Sequence, residues 1–149
     1  MRATTFHGVG DIRVEDVPDS QIIAPTDAIV RVTKAGICGS DLHFLHFGDA
    51  LGMEPGLRLG HEFVGVIEEV GRNVRQLKRG QRVVSPFSVH CGTCFYCEHD
   101  LLTACENIRA FGLSKAWGAL GGGQAEYVRV PAAERTLLVL DDRVTDAEA

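Results

Sequence analysis

No stretch of roughly 18 uncharged apolar residues, the length a membrane-spanning helix needs, occurs anywhere in this chain. The opening MRATTFHGVGDIRV has no apolar run behind a positive start, so no secretory leader is read there. Basic residues are the minority: 15 Lys and Arg against 20 Asp and Glu leave a formal charge of -5. That balance leaves no basic face large enough to hold a phosphate backbone. Neither a membrane nor a nucleic-acid partner is expected, and the chain is read as cytoplasmic. Repeats, low-complexity tracts and linkers are also missing.

What remains is an ordinary globular composition, 45% hydrophobic and 23% charged over 149 residues, sized for one domain able to bury a core. Apolar stretches of strand length fall at Arg2 to Phe6, Ile12 to Val17, Ala28 to Thr33, Phe63 to Val70, Arg82 to Ser85, Ala125 to Val130 and Leu137 to Leu140. Seventeen glycines and five prolines punctuate them, and the two glycines within His7 to Asp11 predict a hairpin turn. Helical turns are expected only over Ser40 to Phe47 and Cys97 to Ile108. The fold class is therefore mainly β, a barrel or sandwich, with no support for a doubly wound sheet. The acidic tail from Asp141 to Ala149 has no apolar face; a frayed end and the start of a further element are equally good readings of it.

Cys91, Cys94, Cys97 and Cys105 have the spacing C-x2-C-x2-C-x7-C. Three thiols share one tight turn and the fourth returns after a short loop, which suits one tetrahedral ion. Four thiolates leave no open position for water, so such a zinc site is structural. The lobe from about Pro86 to Ile108 has little apolar surface to bury, and metal binding would supply much of its folding free energy. An iron–sulfur cluster is the nearest rival, but Glu106 stands after the last cysteine where the bacterial cluster motif has proline, and its last gap is shorter. Disulfides fit a reducing compartment poorly. A structural zinc does not by itself name a function.

The fifth cysteine, Cys38, follows the Ala28–Thr33 strand within AGICGSDLH, and His61, within Gly60-His61-Glu62, precedes the strand from Phe63. If those strands are neighbours, the thiol and the ring meet at one end of the barrel. Two donors are too few for a closed site; catalytic zinc takes three plus an exchangeable ligand, so the third is missing or is Glu62. A lone buried cysteine, however, is more often a small core residue than a ligand.

Gly60-His61-Glu62 followed by Gly65, Gly71 and Val74 resembles the zinc signature of the medium-chain zinc-dependent alcohol dehydrogenases. Cys38-Gly39-Ser40-Asp41 upstream and the four-cysteine lobe downstream stand in that family's order. Gly92-Thr93-Cys94-Phe95-Tyr96-Cys97 and Gly123-Gln124-Ala125-Glu126-Tyr127-Val128 look most like its glutathione-independent formaldehyde dehydrogenase branch. The resemblance implies a GroES-like, partly open barrel with a zinc-lobe excursion. It implies catalytic zinc on Cys38 and His61, with Glu62 as a transient ligand, and structural zinc on the four cysteines. Zinc would polarise an alcohol oxygen so that hydride can leave for NAD or NADP. Ser40 would take the alcohol proton, His43 would pass it to solvent, and Asp41 would orient the His61 ring. Ser40 and Asp41 equally suit the cap of a short helix. No role is read for His7, His46, His90 or His99, and Gly121-Gly122-Gly123 is read as a turn into the strand at Ala125.

In that family a third catalytic ligand, cysteine or aspartate, and then a dinucleotide-binding domain come after the position of Ala149. The expectation is thus a catalytic-domain fragment, inactive alone, whose parent acts on a small alcohol or aldehyde and forms a homo-oligomer. Gly39 stands where many relatives carry a basic residue facing the cofactor phosphates, which leaves NAD versus NADP open. Two other functions compete: a zinc-stabilised binding or scaffold module without catalysis, and a zinc-ribbon nucleic-acid binder, which the acidic balance opposes.

Overall fold

The computed structural model describes residues 1–149. The chain begins with the expected hairpin, β1 (Arg2–Gly8) turning at Val9-Gly10 into β2 (Asp11–Asp16). β3 (Ala28–Ala35) follows, then helix α1 (Gly39–Phe47) and the short β4 (Leu57–Arg58). β5 (Phe63–Val70) and β6 (Arg82–Ser85) lead into the lobe, which holds β7 (Ser88–Val89), one helical turn α2 (Phe95–Glu98), a 3-10 turn at Leu102–Ala104 and β8 (Arg109–Ala110). A 3-10 turn at Lys115–Trp117, β9 (Tyr127–Val130), the turn α3 (Ala133–Thr136) and β10 (Leu138–Val139) complete the order.

Three sheets result: β2-β1-β4, β10-β6-β5-β3-β9, and β7-β8. The pairings between successive neighbours are antiparallel. A bridge between Ala3 and Ala125, flanked by the Thr4 N–H donating to the Gln124 carbonyl at 2.8 Å, stitches the hairpin to the large sheet beside β9. The sheets curl toward one another without closing, a partly open barrel as expected. No helix is long and apolar enough to cross a membrane.

The core follows from strand alternation. Val30 on β3, Ile67 on β5, Val83 on β6 and Val128 and Val130 on β9 point to one side of the large sheet and are at most 1% exposed. Phe63 and Phe111 meet edge to face at 5.2 Å on the same side, the geometry that the ring quadrupoles favour. Full burial of each such side chain contributes about 1.5–3 kcal/mol. A smaller cluster, Phe6, Phe44, Met53 and Leu59, fixes α1 against the hairpin.

Helical turns also form at Lys115–Trp117 and Ala133–Thr136, outside the two spans expected to hold them; within Cys97 to Ile108 the expected turns are separate, α2 stopping at Glu98 and Asp100 taking a left-handed φ of 57° before the 3-10 turn. The cysteines set this path, since a continuous helix would carry Cys97 and Cys105 apart along its axis. The tail closes on itself in a turn: Thr145 Oγ1 donates to Glu148 Oε2 at 2.7 Å, and that oxygen also accepts the Thr145 N–H at 3.0 Å.

Candidate metal centres

β3 and β5 pair antiparallel with Ala35 opposite Phe63, and the Gly36 N–H donates to the Glu62 carbonyl at 2.8 Å. The loop leaving β3 and the loop entering β5 are thereby forced side by side. Cys38 and His61, at the tips of these loops, stand with Sγ and Nε2 3.0 Å apart. A carboxylate oxygen of Glu62 joins them, the three donor atoms all lying within 4.8 Å of one another. Cys38 is half-buried, His61 buried and Glu62 exposed, so the cluster has a dry side and a wet side.

Two glycines make this approach possible. Gly60 sits at φ 94°, in the region L side chains avoid, and a Cβ there would come within 2.4 Å of the Gln124 backbone nitrogen. The chain can therefore turn His61 inward only because residue 60 has no side chain. A Cβ on Gly36 would meet Glu62 Oε2 at 2.5 Å and its Cβ at 3.1 Å, so Gly36 leaves room for Glu62 to lie over the loop. The Gly121–Gly123 run packs on the same segment: the Gly122 N–H donates to the Arg58 carbonyl and the Gly123 N–H to that of Gly60. It is a backbone clamp on the His61 loop rather than merely a turn into β9.

Asp41 does not orient His61 by a hydrogen bond. Cys38 is the N-cap of α1 and Asp41 its third residue, in a reciprocal capping box: Ser40 N–H donates to Cys38 Sγ at 3.3 Å, and Asp41 Oδ2 accepts the Cys38 N–H at 2.8 Å. Asp41 Oδ1 accepts from the Gln124 amide at 3.3 Å, and the same amide donates to the Gly36 carbonyl at 3.2 Å. His61 Nδ1 is buried with no hydrogen-bond partner. Asp41 thus fixes the cysteine, and Gln124 ties Asp41 to the loop. The chain fragment Gly123–Val128 carried the family resemblance, yet nothing in it marked Gln124 as the residue joining both loops. Ser40 is half-buried beside Cys38, and His43 is exposed one turn further on. Gly39 faces open space.

The four cysteines of the lobe converge with Sγ separations of 3.6 Å (Cys91–Cys105), 3.9 Å (Cys91–Cys97) and 4.0 Å (Cys94–Cys105). Four sulfurs each about 2.3 Å from a central zinc form a tetrahedron with edges of about 3.8 Å. A disulfide would need about 2.05 Å, so the disulfide alternative fails on distance. Between Cys91 and Ile108 the only buried residues are Cys97 and Cys105, and Phe95, Leu101 and Leu102 stand exposed. The lobe has no apolar core of its own to hold it together. The backbone N–H of Thr93 pulls the Cys91 thiol down to about 5, while burial pushes Cys97 up to about 12.

The donor sets fit their expected ions differently. The sulfur cage matches a closed tetrahedron as it stands. At the other site, a tetrahedral ion would hold sulfur and nitrogen about 3.5 Å apart. The observed 3.0 Å thus asks for a small opening.

The alcohol dehydrogenase GroES-like domain family matches residues 24–141. The zinc-type alcohol dehydrogenase-like protein AdhB of Bacillus subtilis is 43% identical over 91% of this chain, which covers 38% of that protein. The glutathione-independent formaldehyde dehydrogenase of Pseudomonas aeruginosa is 36% identical over 95% of this chain and likewise covered to 38%. Among solved structures, alcohol dehydrogenase TADH from Thermus sp. ATN1 superposes with a TM-score of 0.94 at 41% identity, over 98% of this chain and 42% of that one. The chain therefore spans about two fifths of the length of the relatives it matches. With that family's model matching residues 24–141, most of its length, the chain belongs to the alcohol dehydrogenase GroES-like domain family.

Proposed function

We propose that this chain is the zinc-binding catalytic part of an oxidoreductase that transfers hydride between a small alcohol or aldehyde and NAD or NADP. The observation that supports this best is the 3.0 Å approach of Cys38 Sγ to His61 Nε2 from two separate loops, with the Glu62 carboxylate beside them. A thiolate, an imidazole and one carboxylate on the wet side leave room for an exchangeable ligand, the arrangement of a catalytic rather than a structural zinc. Bound there, zinc supplies Lewis acidity toward an alcohol oxygen.

The chain's own residues supply the rest. The capping box formed by Cys38 and Asp41 locks the sulfur in place, and Gln124 holds that box to the Gly36 loop. Ser40, half-buried next to Cys38, is positioned to accept the alcohol proton. His43, three residues on and so on the same helix face, delivers it to solvent. Cys91, Cys94, Cys97 and Cys105 hold a structural zinc. The dinucleotide is bound by a further domain that the longer relatives have room for, and the whole protein is a cytoplasmic homo-oligomer.

Zinc content and turnover of the full-length protein test this together. The expected result is two zinc ions per chain with NAD(P)-dependent alcohol oxidation, and one zinc with no oxidation after Cys38→Ser. One zinc per chain and no turnover in the unmodified protein would instead mark a zinc-stabilised binding module. Undiminished turnover in Cys38→Ser would overturn the proposal.

A further inference from the structure

The tail crosses the sheet next to the Cys38–His61–Glu62 cluster and is held there by a side-chain clasp. Asp146 Oδ2 accepts from Thr33 Oγ1 at 2.6 Å, and its Oδ1 accepts from Arg82 Nε at 2.9 Å and Nη2 at 2.6 Å. The same Arg82 Nη2 donates to the Val144 carbonyl at 2.6 Å. Thr33 is on β3 and Arg82 on β6, the two strands that flank β5. Asp146 therefore bridges the sheet over β5, the strand that His61 leads into. Arg82 and Asp146 are only 27% and 25% exposed, and with two guanidinium nitrogens converging on Oδ1 and Thr33 on Oδ2 the carboxylate is held by charge-assisted hydrogen bonds through both oxygens. Beyond the clasp, Ala147 and Ala149 form one wall of a cavity of about 550 Å³ whose other walls include His61, Glu62 and Phe87.

We infer that Asp146, Arg82 and Thr33 are positioning residues for the Cys38–His61 metal centre, setting the wall that faces its open side. The inference rests on the proposed metal role of Cys38 and His61. Its physical basis is that a two-loop donor pair with one exposed carboxylate has no rigid group on its wet side. A segment pinned at both Val144 and Asp146 supplies one, and the two hydrogen bonds from Thr145 to Glu148 Oε2 stiffen it in place. Without the clasp, the segment loses the side-chain hydrogen bonds that tie it to β3 and β6.

The test uses the full chain with zinc in the four-cysteine cage and cobalt(II) titrated into the second site, whose thiolate and ligand-field absorption reports occupancy. Cys38→Ser identifies the signal. Asp146→Asn, Arg82→Gln and Thr33→Val are compared with the unmodified protein. The expected result is cobalt affinity lowered about tenfold or more in Asp146→Asn and Arg82→Gln, the usual cost of losing an outer support. The double variant should be no weaker than the worse single one, as members of one network behave. Zinc in the cage should be retained throughout, and amide exchange of residues 144–149 in the cobalt-free protein should accelerate in the variants. Cobalt affinity within about twofold of the unmodified protein, or equal loss of metal from both sites, would overturn the inference. If the unmodified protein shows no signal that Cys38→Ser removes, the metal reading itself fails. Amide exchange then still reports separately whether the clasp holds the segment.

Discussion

At the scale of single residues, backbone permission does as much for this site as donor chemistry. His61 reaches Cys38 only because Gly60 takes a φ of 94° at a point where a Cβ would come within 2.4 Å of the Gln124 backbone nitrogen. The obstacle is backbone, itself tied by a hydrogen bond to the Leu59 carbonyl, so it cannot swing aside as a side-chain tip would. Gly60→Ala is therefore expected to cost about 2 kcal/mol or more, from the left-handed strain plus displacement of the clamp. Urea unfolding measures that cost. On the proposed two-zinc reading, the zinc content of the folded variant should fall from two per chain to one, because the strain is released where His61 enters. An unchanged midpoint with both ions retained would show that the loop accommodates the methyl group freely. None of this could be read from the sequence, which displays Gly60 as part of a signature but not the Gln124 backbone opposite it. Asp41 teaches the same lesson. Its place three residues after Cys38 fits a ligand-orienting role and a capping role equally, and only the distances to the Cys38 N–H and the Gln124 amide separate them.

At the scale of elements, legibility tracks how each element gains its stability. β1, β3, β5 and β6 bury alternate side chains in a shared core, and their expected spans agree with the observed ones closely. β4, β7 and β8 are two-residue pairings made by chain crossing rather than by periodicity. Such pairings leave no mark in the pattern of residues. The lobe is the extreme case: its cysteine spacing announced a metal cage, yet its turns follow the four sulfurs rather than helical propensity. Its integrity should accordingly depend on the ion. Stripping zinc from the cage is expected to release residues 91–108 into rapid amide exchange, while β3, β5 and β6 keep their protection, since the lobe's only buried residues in that span are Cys97 and Cys105. Mass-resolved hydrogen exchange before and after chelation decides it. A lobe that stays protected without metal would mean that its exposed aromatic and aliphatic side chains pack better than their solvent exposure implies.

At the scale of the whole molecule, charge sets how stability varies with pH. The carboxyls of Glu15, Glu134, Asp146 and Glu148 are all held below their ordinary values by hydrogen bonds: Glu15 by Thr5 and His7, Glu134 by the backbone N–H groups of Gln76 and Arg75, Asp146 by Thr33 and Arg82, and Glu148 by Thr145. A carboxyl depressed in the folded state binds fewer protons there than in the unfolded chain. Its contribution is complete above the unfolded value of about 4 and is lost as pH falls through the lower folded value. The N-terminal amine has the opposite sign. Asp19 raises it through a 2.7 Å contact, so its contribution is present below the unfolded value of about 8 and disappears as pH rises through the folded one. With a formal charge of -5, self-repulsion grows in the same alkaline direction. Stability should therefore form a plateau between about pH 5 and 8 and decline on both sides. The tail is held to the sheet through the ionised Asp146 carboxylate whereas the core strands are held by apolar burial, so acid that reaches Asp146 should release the tail before the core strands open. Following urea midpoints across pH, together with amide exchange of residues 144–149, would show the tail releasing at a higher pH than the global transition. Simultaneous loss of tail and core would mean that the Asp146 clasp is no weaker than the barrel it spans.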